Sequence, residues 1–302
     1  MASCPKILGG ISAFGILAAA LASPPSRIPV PPSDASTTGN FASSSALDRD
    51  FLRAVTWNID RGYDLGKIEA TLRRIGADLI FLQEVDRHSR RTHNADVAHD
   101  LARSLGYNYA FGTAFEEMSQ SVDGRPAYQG QATLCRCTIR NARVLRFKRQ
   151  SNWWKPHGFI PNTGFFQRRL GGRIALVTEL SVGHSKMVAY NVHFESRSAG
   201  AIQSAQLNEV LADLRRYPPG TPAIIAGDLN SKYNPAQVLH FLEKQGFHSV
   251  LGEKIERTHV LIGYFDWIFY RGPLNLERGE VLRGSHASDH DPVVAQLRLD
   301  SR

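Results

Sequence analysis

Six apolar runs in this chain carry polar residues inside them or at one end. They are Val55-Thr56-Trp57-Asn58, Leu79-Ile80-Phe81-Leu82-Gln83-Glu84, Val188-Ala189-Tyr190-Asn191-Val192-His193, Ile224-Ile225-Ala226-Gly227-Asp228-Leu229-Asn230, Phe265-Asp266-Trp267-Ile268-Phe269, and Ser288-Asp289-His290-Asp291-Pro292-Val293-Val294. Runs of this length read as buried strands. Carboxylates and imidazoles at the rim of such strands lose hydration, and that loss needs an offset. A metal ion, hydrogen-bond partners or a charged substrate would supply one. The pattern predicts a single polar site assembled from separate strand ends.

The remaining periodicity predicts four helices. Leu65, Ile68, Leu72 and Ile75 recur at helical spacing, with Asp64 as N-cap and Gly76 as stop. Val97, Leu101 and Leu105 mark a second helix ended by Gly106, and Ile202, Leu207, Val210, Leu211 and Leu214 a third. Asn234-Pro235 opens a fourth, with Asn as cap and Pro at the first helical position, running to about Lys244. Further strands are expected at 78–84, 132–139, 173–181, 187–194, 222–228, 265–270 and 292–299. Strands outnumber helices and most of their links are short. This predicts an α+β or layered domain with largely antiparallel sheets, not a doubly wound nucleotide fold.

Length allows one large domain or two small ones within the 302 residues. At the N-terminus, Lys6, the apolar Ile7–Leu21 and the small-x-small Ala20-Leu21-Ala22 read as a secretory signal over residues 1–22. The apolar stretch is short of the about 20 residues that span a membrane, so an uncleaved anchor is the alternative. A secreted, periplasmic or extracellular location follows. Residues 23–47, rich in Pro, Ser, Thr and Ala, read as a flexible linker, and 48–302 as the folded domain. Cys135 and Cys137 lie two apart in an expected strand, a spacing that suits a disulfide poorly; they read as small buried residues. The net charge of +8 favours anionic partners, whether nucleic acid, phospholipid headgroups or small phosphate esters.

The stranded polar residues are chemically specific. Asn58, Glu84 and Asp289 offer the oxygen atoms a hard cation prefers. Asp228 and Asn230, two apart after a strand, face one way and suit the orientation and deprotonation of a water; the same segment also has good turn chemistry. His193 and His290 are the acid–base candidates, and Asp266 is placed to orient an imidazole.

At these six motifs the chain resembles the endonuclease/exonuclease/phosphatase superfamily, the group that includes deoxyribonuclease I. The matching residues are Trp57-Asn58, Leu82-Gln83-Glu84, Asn191-Val192-His193, Gly227-Asp228-Leu229-Asn230-Ser231, Asp266-Trp267-Ile268 and Ser288-Asp289-His290-Asp291-Pro292, spread over about residues 51 to 299. The resemblance implies a four-layer α/β sandwich, two packed mainly antiparallel sheets flanked by helices. It also implies hydrolysis of phosphate esters with Mg²⁺, or with Mn²⁺ or Ca²⁺ in its place. On that pattern Glu84 is the principal metal ligand, with Asn58 and Asp289 nearby. Asp228 and Asn230 position the water and the phosphate. His193 contacts the phosphate and helps protonate the leaving oxygen. His290, paired with Asp266, is either the general base or a transition-state stabiliser.

Substrate choice is expected from residues 147–173, which hold six Lys or Arg and no acid. Trp153, Trp154, Arg168 and Arg169 there, with Arg61 after Asn58, are the expected substrate contacts. Aromatics interleaved with cations suit stacking on bases beside phosphates, and equally suit contact with a membrane surface. The expected activity is a secreted, monomeric phosphodiesterase acting on nucleic acid. The alternatives are a sphingomyelin, inositol-phosphate or phospholipid phosphodiesterase or phosphatase, and a non-catalytic phosphate-binding protein.

Overall fold

The strands are apolar on consecutive residues because both of their faces are covered. The computed structural model describes residues 34–43, 51–155, 163–183, 185–232, 234–261 and 263–300. The expected signal segment lies outside them. In chain order the elements are β1 (Ser36–Gly39), β2 (Phe51–Arg61), α1 (Leu65–Ile75), β3 (Leu79–Arg87), α2 (Val97–Leu105), β4 (Asn108–Glu117), β5 (Tyr128–Cys135), β6 (Thr138–Arg146) and β7 (Arg169–Gly171). Then follow β8 (Ile174–Val182), β9 (Ser185–His193), α3 (Ala201–Leu214), β10 (Ala223–Asp228), α4 (Pro235–Glu243), β11 (His248–Ser249), β12 (Asp266–Arg271), β13 (Leu274–Val281) and β14 (Val293–Leu299).

One sheet runs β1-β4-β5-β3-β2-β14-β13, with β7 also on β4; the other runs β11-β12-β10-β9-β8-β6. Leu52, Ala54, Leu79 and Phe81 of the first sheet pack against Met187, Ala189, Ile224, Ala226 and Ile268 of the second in a central layer. Their neighbours Val55, Ile80 and Leu82 face outward onto Ile68, Leu72, Val97 and Leu101 of α1 and α2. On the far side Tyr190, Ile225 and Phe269 meet Leu207, Val210, Leu211 and Leu242 of α3 and α4. The layers are therefore helix, sheet, sheet, helix, the expected sandwich. Among the described residues no helix is long and apolar enough to cross a membrane.

Among the described strands only β2–β3 and β9–β10 pair in parallel. Each such pair needs a crossover, which α1 and α3 provide. Parallel pairing sets the C-terminal ends of the two strands side by side, so Asn58 and Glu84 share one rim while His193 and Asp228 share the other. The antiparallel β12 begins at that same end with Asp266.

The structure revises some of the expected elements. The strand expected over 132–139 is two strands, because the chain turns at Arg136 and Cys137. The turn brings the Cα atoms of Cys135 and Cys137 to 5.0 Å, nearer than the ~6.6 Å of two extended residues, and the two cysteines form a disulfide. Within the expected linker, Ser36–Gly39 pair with Tyr109–Gly112 on the edge of β4. That strand is held by backbone hydrogen bonds and leaves no apolar period to read. Asp64 caps α1 as expected, accepting from the Lys67 amide, whereas Asn234 makes no side-chain cap bond at α4.

Candidate active site

The inner-face period of each strand does not stop where the apolar layer stops. Ala54, Thr56 and Asn58 follow one another on β2, Ala189, Asn191 and His193 on β9, and Ile224, Ala226 and Asp228 on β10. All of these polar side chains are buried. The first polar pair locks the two sheets together. Gln83 Nε2 donates to Asn191 Oδ1 at 2.8 Å and to Thr56 Oγ1 at 3.1 Å, and Asn191 Nδ2 donates to the carbonyls of Leu82 and Ala132. The next residues along form the site.

Asp228 is the hub. Its register partners are His193 on β9 and Asp266 on β12. Its Oδ2 accepts from Asn58 Nδ2 at 3.2 Å and lies 3.4 Å from His193 Nε2; its Oδ1 accepts from the Asn230 amide at 2.9 Å. Asn230, in the left-handed region at φ 49°, donates its Nδ2 to the Phe194 carbonyl at 3.0 Å. Gly227 makes this packing possible: it sits at φ 141°, and a Cβ there would fall 1.9 Å from the Val192 carbonyl oxygen. Burial, with the charge of Asp266 added, pushes the Asp228 carboxyl up to about 6.

His290 Nδ1 lies 2.6 Å from Asp266 Oδ2. Burial alone would lower this imidazole, but the Asp266 charge and hydrogen bond outweigh it and raise His290 to about 10. His193 goes the opposite way. Burial and the nearby Arg173 push it well below the ordinary value. At neutral pH His193 is therefore a neutral hydrogen-bonding group. Thr258 Oγ1 fixes the start of β12, accepting from the amides of Phe265 and Asp266 at 3.1 Å each.

Glu84 reaches the rim through a β-bulge. Leu82 and Val85 both face the outer layer, three residues apart, and pair with Ala132 and Gly130. Glu84 takes φ 53° to make up the extra residue. Arg61 bridges this carboxylate, at 3.3 Å, and that of Asp60. Arg61, Arg173 and Arg169 hold the Glu84 carboxyl below its usual range despite the opposing effect of burial.

The expected cation ligands are only partly gathered. Asp289 clusters with His259 and His290, and Asp228 with Asp266 and His290, each trio having its ligand atoms within 4.8 Å. Glu84 belongs to neither trio. The donor chemistry nevertheless fits a hard divalent cation. Burial pushes the Asp60 carboxyl up, and Asp289 and Glu84 add to this against the pull of Arg61, so three carboxylates crowd one rim. The buried Oδ1 of Asp266 also has no hydrogen-bond partner.

Arg61, Trp153, Trp154, Arg168 and Arg169, the expected substrate contacts, all line one cleft of about 1170 Å³ that opens at Glu84. Asp60, His259 and Arg197 were not legible as site residues, and Arg173 only as the last cation of the segment 147–173. Asp60 stands two residues after Asn58, so the motif itself held a signal for it. His259 reaches the site only because its loop folds back beside His290, with ring centroids 4.9 Å apart.

The model of the endonuclease/exonuclease/phosphatase family matches residues 55–290. The chain belongs to the endonuclease/exonuclease/phosphatase family. That family consists of divalent-metal-dependent phosphoesterases. No curated protein matches the chain. Among solved structures, an endonuclease/exonuclease/phosphatase from Beutenbergia cavernae aligns at 21% identity over 84% of this chain and 72% of its own, with a TM-score of 0.63. The human Nocturnin catalytic domain with bound sulfate aligns at 18% over 88% and 97%, also at 0.63. TDP2 from C. elegans aligns at 21% over 83% and 76%, at 0.53. At these identities the structural likeness carries the fold alone. The six strand-end motifs of this chain lie at one end of the sandwich, within or bordering the matched residues 55–290.

Proposed function

We propose that this protein is a Mg²⁺-dependent phosphodiesterase acting on nucleic acid, working as a monomer after export. The observation that carries this reading is the cleft beside Glu84, lined by six arginines and two acids together with Tyr63, Trp153, Trp154 and Phe166. Guanidinium groups pair with phosphates while aromatic faces stack on bases. Export rests on the N-terminal segment read from the sequence.

Asn58, Glu84 and Asp289, with Asp60, would hold the cation. When bound, it supplies charge neutralisation on the phosphoryl oxygens. Asp228 is raised toward neutrality, so it can take a proton from an attacking water that Asn230 helps position. Neutral His193 donates a hydrogen bond to the phosphate. His290, held positive by Asp266, stabilises charge that develops in the transition state.

A second reading is a phospholipid phosphodiesterase at a membrane surface. It rests on Phe165, 87% exposed, and on Trp153 and Phe166 near Arg168 at the cleft mouth. A plasmid-nicking assay run beside sphingomyelin and phosphatidylinositol release separates the two. Mg²⁺-dependent nicking that EDTA abolishes is expected. Headgroup release without nicking would replace the first reading with the second.

A further inference from the structure

Arg173 is a buried cation with too few partners. It is 5% exposed, its Nε has no hydrogen-bond partner, and its Nη2 donates to one hydroxyl, Ser196 Oγ, at 3.2 Å. Among the described residues it forms no ion pair. The charges of Glu84, Glu195 and Asp228 act on it without forming an ion pair, and its guanidinium lies 5.6 Å from the ring centre of Phe115. A buried guanidinium in this state is costly unless an anion completes it.

Its surroundings are built to receive one. Arg173 lines the cleft, and Arg169 and Arg197 line the same wall. Arg169 is locked in place: its guanidinium lies 5.1 Å from the ring centres of both Phe115 and Trp154, and it pairs with Glu117 at 2.8 Å. Glu117 in turn is shared with Arg91, whose guanidinium grips Asp86 with two bonds of 2.6 and 2.7 Å. Arg197 stacks on Trp153 at 4.1 Å and, like Arg173, makes no ion pair among the described residues. Trp154 Nε1 on this wall is a second buried donor without a partner. Asn58, His193, Asp228, Asn230, Asp266 and His290 are not part of the cleft's lining; Glu84, Arg61 and Arg173 link the two, Arg173 through its charge interactions with His193 and Asp228.

We propose that Arg173, with Arg169 and Arg197, forms a second phosphate subsite that receives an anionic group of the substrate other than the one being cleaved. The inference rests on the nucleic-acid reading and narrows it. The preferred substrate carries a phosphate on the nucleotide next to the scissile bond, as inside a polynucleotide or at a phosphorylated end. Rigid, paired Arg169 supplies a fixed wall, while Arg173 and Arg197 supply the uncommitted charge. A neutral lipid tail in the same place would leave Arg173 without its counter-charge.

Binding without turnover tests this. Calorimetry in EDTA would compare adenosine 3′,5′-bisphosphate with adenosine 5′-monophosphate. Wild type is expected to prefer the bisphosphate at least tenfold. Arg173→Met and, at the exposed edge, Arg197→Ala should each cut that preference to about threefold or less, with unchanged circular dichroism. Equal binding of the two nucleotides by wild type, or a preference that survives in both variants, would overturn the subsite. A companion assay measures kcat/KM on a thymidine dinucleotide with and without a terminal phosphate. A preference there that collapses in the variants through KM supports the subsite, and an unchanged ratio contradicts it. Should the protein cleave no nucleic acid yet bind the bisphosphate through Arg173, the nuclease reading falls while the subsite stands.

Discussion

His290 Nδ1 lies 2.6 Å from Asp266 Oδ2, so the loop before β14 is tied to the first residue of β12 by a buried charge pair. Asp266→Asn removes the largest influences that raise the imidazole and leaves burial opposed by the charges of Asp228 and Asp289, so His290 is held positive less strongly. We expect kcat to fall by roughly a hundredfold or more, in the range of a lost acid–base or charged group. Steady-state kinetics on a folded variant measure it, and a wild-type kcat would remove the pair from the reaction.

The same pair predicts how stability depends on pH in the metal-free protein. The folded-state value of His290, about 10, lies above the ordinary 6.5. Its contribution is complete below pH 6.5 and is lost as pH rises through 10. Urea midpoints should therefore decline over that window in wild type and be flatter in Asp266→Asn. Parallel curves would contradict the sign of the shift.

Glu84→Gln keeps the shape of the bulge and removes its charge. Activity should drop by about a thousandfold, or ~4 kcal/mol of transition-state stabilisation. Mn²⁺ affinity should weaken in calorimetry on the same variant. Wild-type affinity for the ion would exclude Glu84 as its principal ligand.

Asn191 has no contact with substrate groups in this reading, so its variant reports on stability. Asn191→Leu leaves Gln83 Nε2 and the carbonyls of Leu82 and Ala132 short of a partner. Stranded buried polar groups of this kind predict a loss of roughly 2–4 kcal/mol in urea unfolding. A change below about 1 kcal/mol would mean that the inter-sheet network contributes little.

The double variant Trp153→Ala with Trp154→Ala should reduce turnover of a macromolecular substrate more than that of a small chromogenic ester. Trp153 is 58% exposed at the cleft mouth, and Trp154 packs on Arg169. Equal loss on both substrates would sink the idea that this wall reads the substrate.

Much of the site was legible because a strand's side chains alternate with a fixed period of two. Asn58, His193 and Asp228 continue the inward positions of their strands, so the ends of the apolar runs marked them in advance. The order of the six motifs identified the family and, through it, the sandwich. Other features left no local trace. The edge strand Ser36–Gly39 is held by backbone bonds to β4, and a Pro- and Ser-rich segment shows no period that reveals them. The disulfide depends on a turn at Arg136 that the apolar character of 132–139 conceals.

The chain alone thus marked Asn58, His193 and Asp228 and, through the order of its motifs, the family, since the alternation of side chains along a strand is a local property. The fold decided how they are tuned. Arg61 bridges Asp60 and Glu84, His259 folds onto His290, and Arg173 is buried facing the cleft. These relations depend on packing between distant segments. Burial and neighbouring charge, which set protonation and leave the buried Arg173 with no ion pair among the described residues, exist only once both sheets have closed on each other.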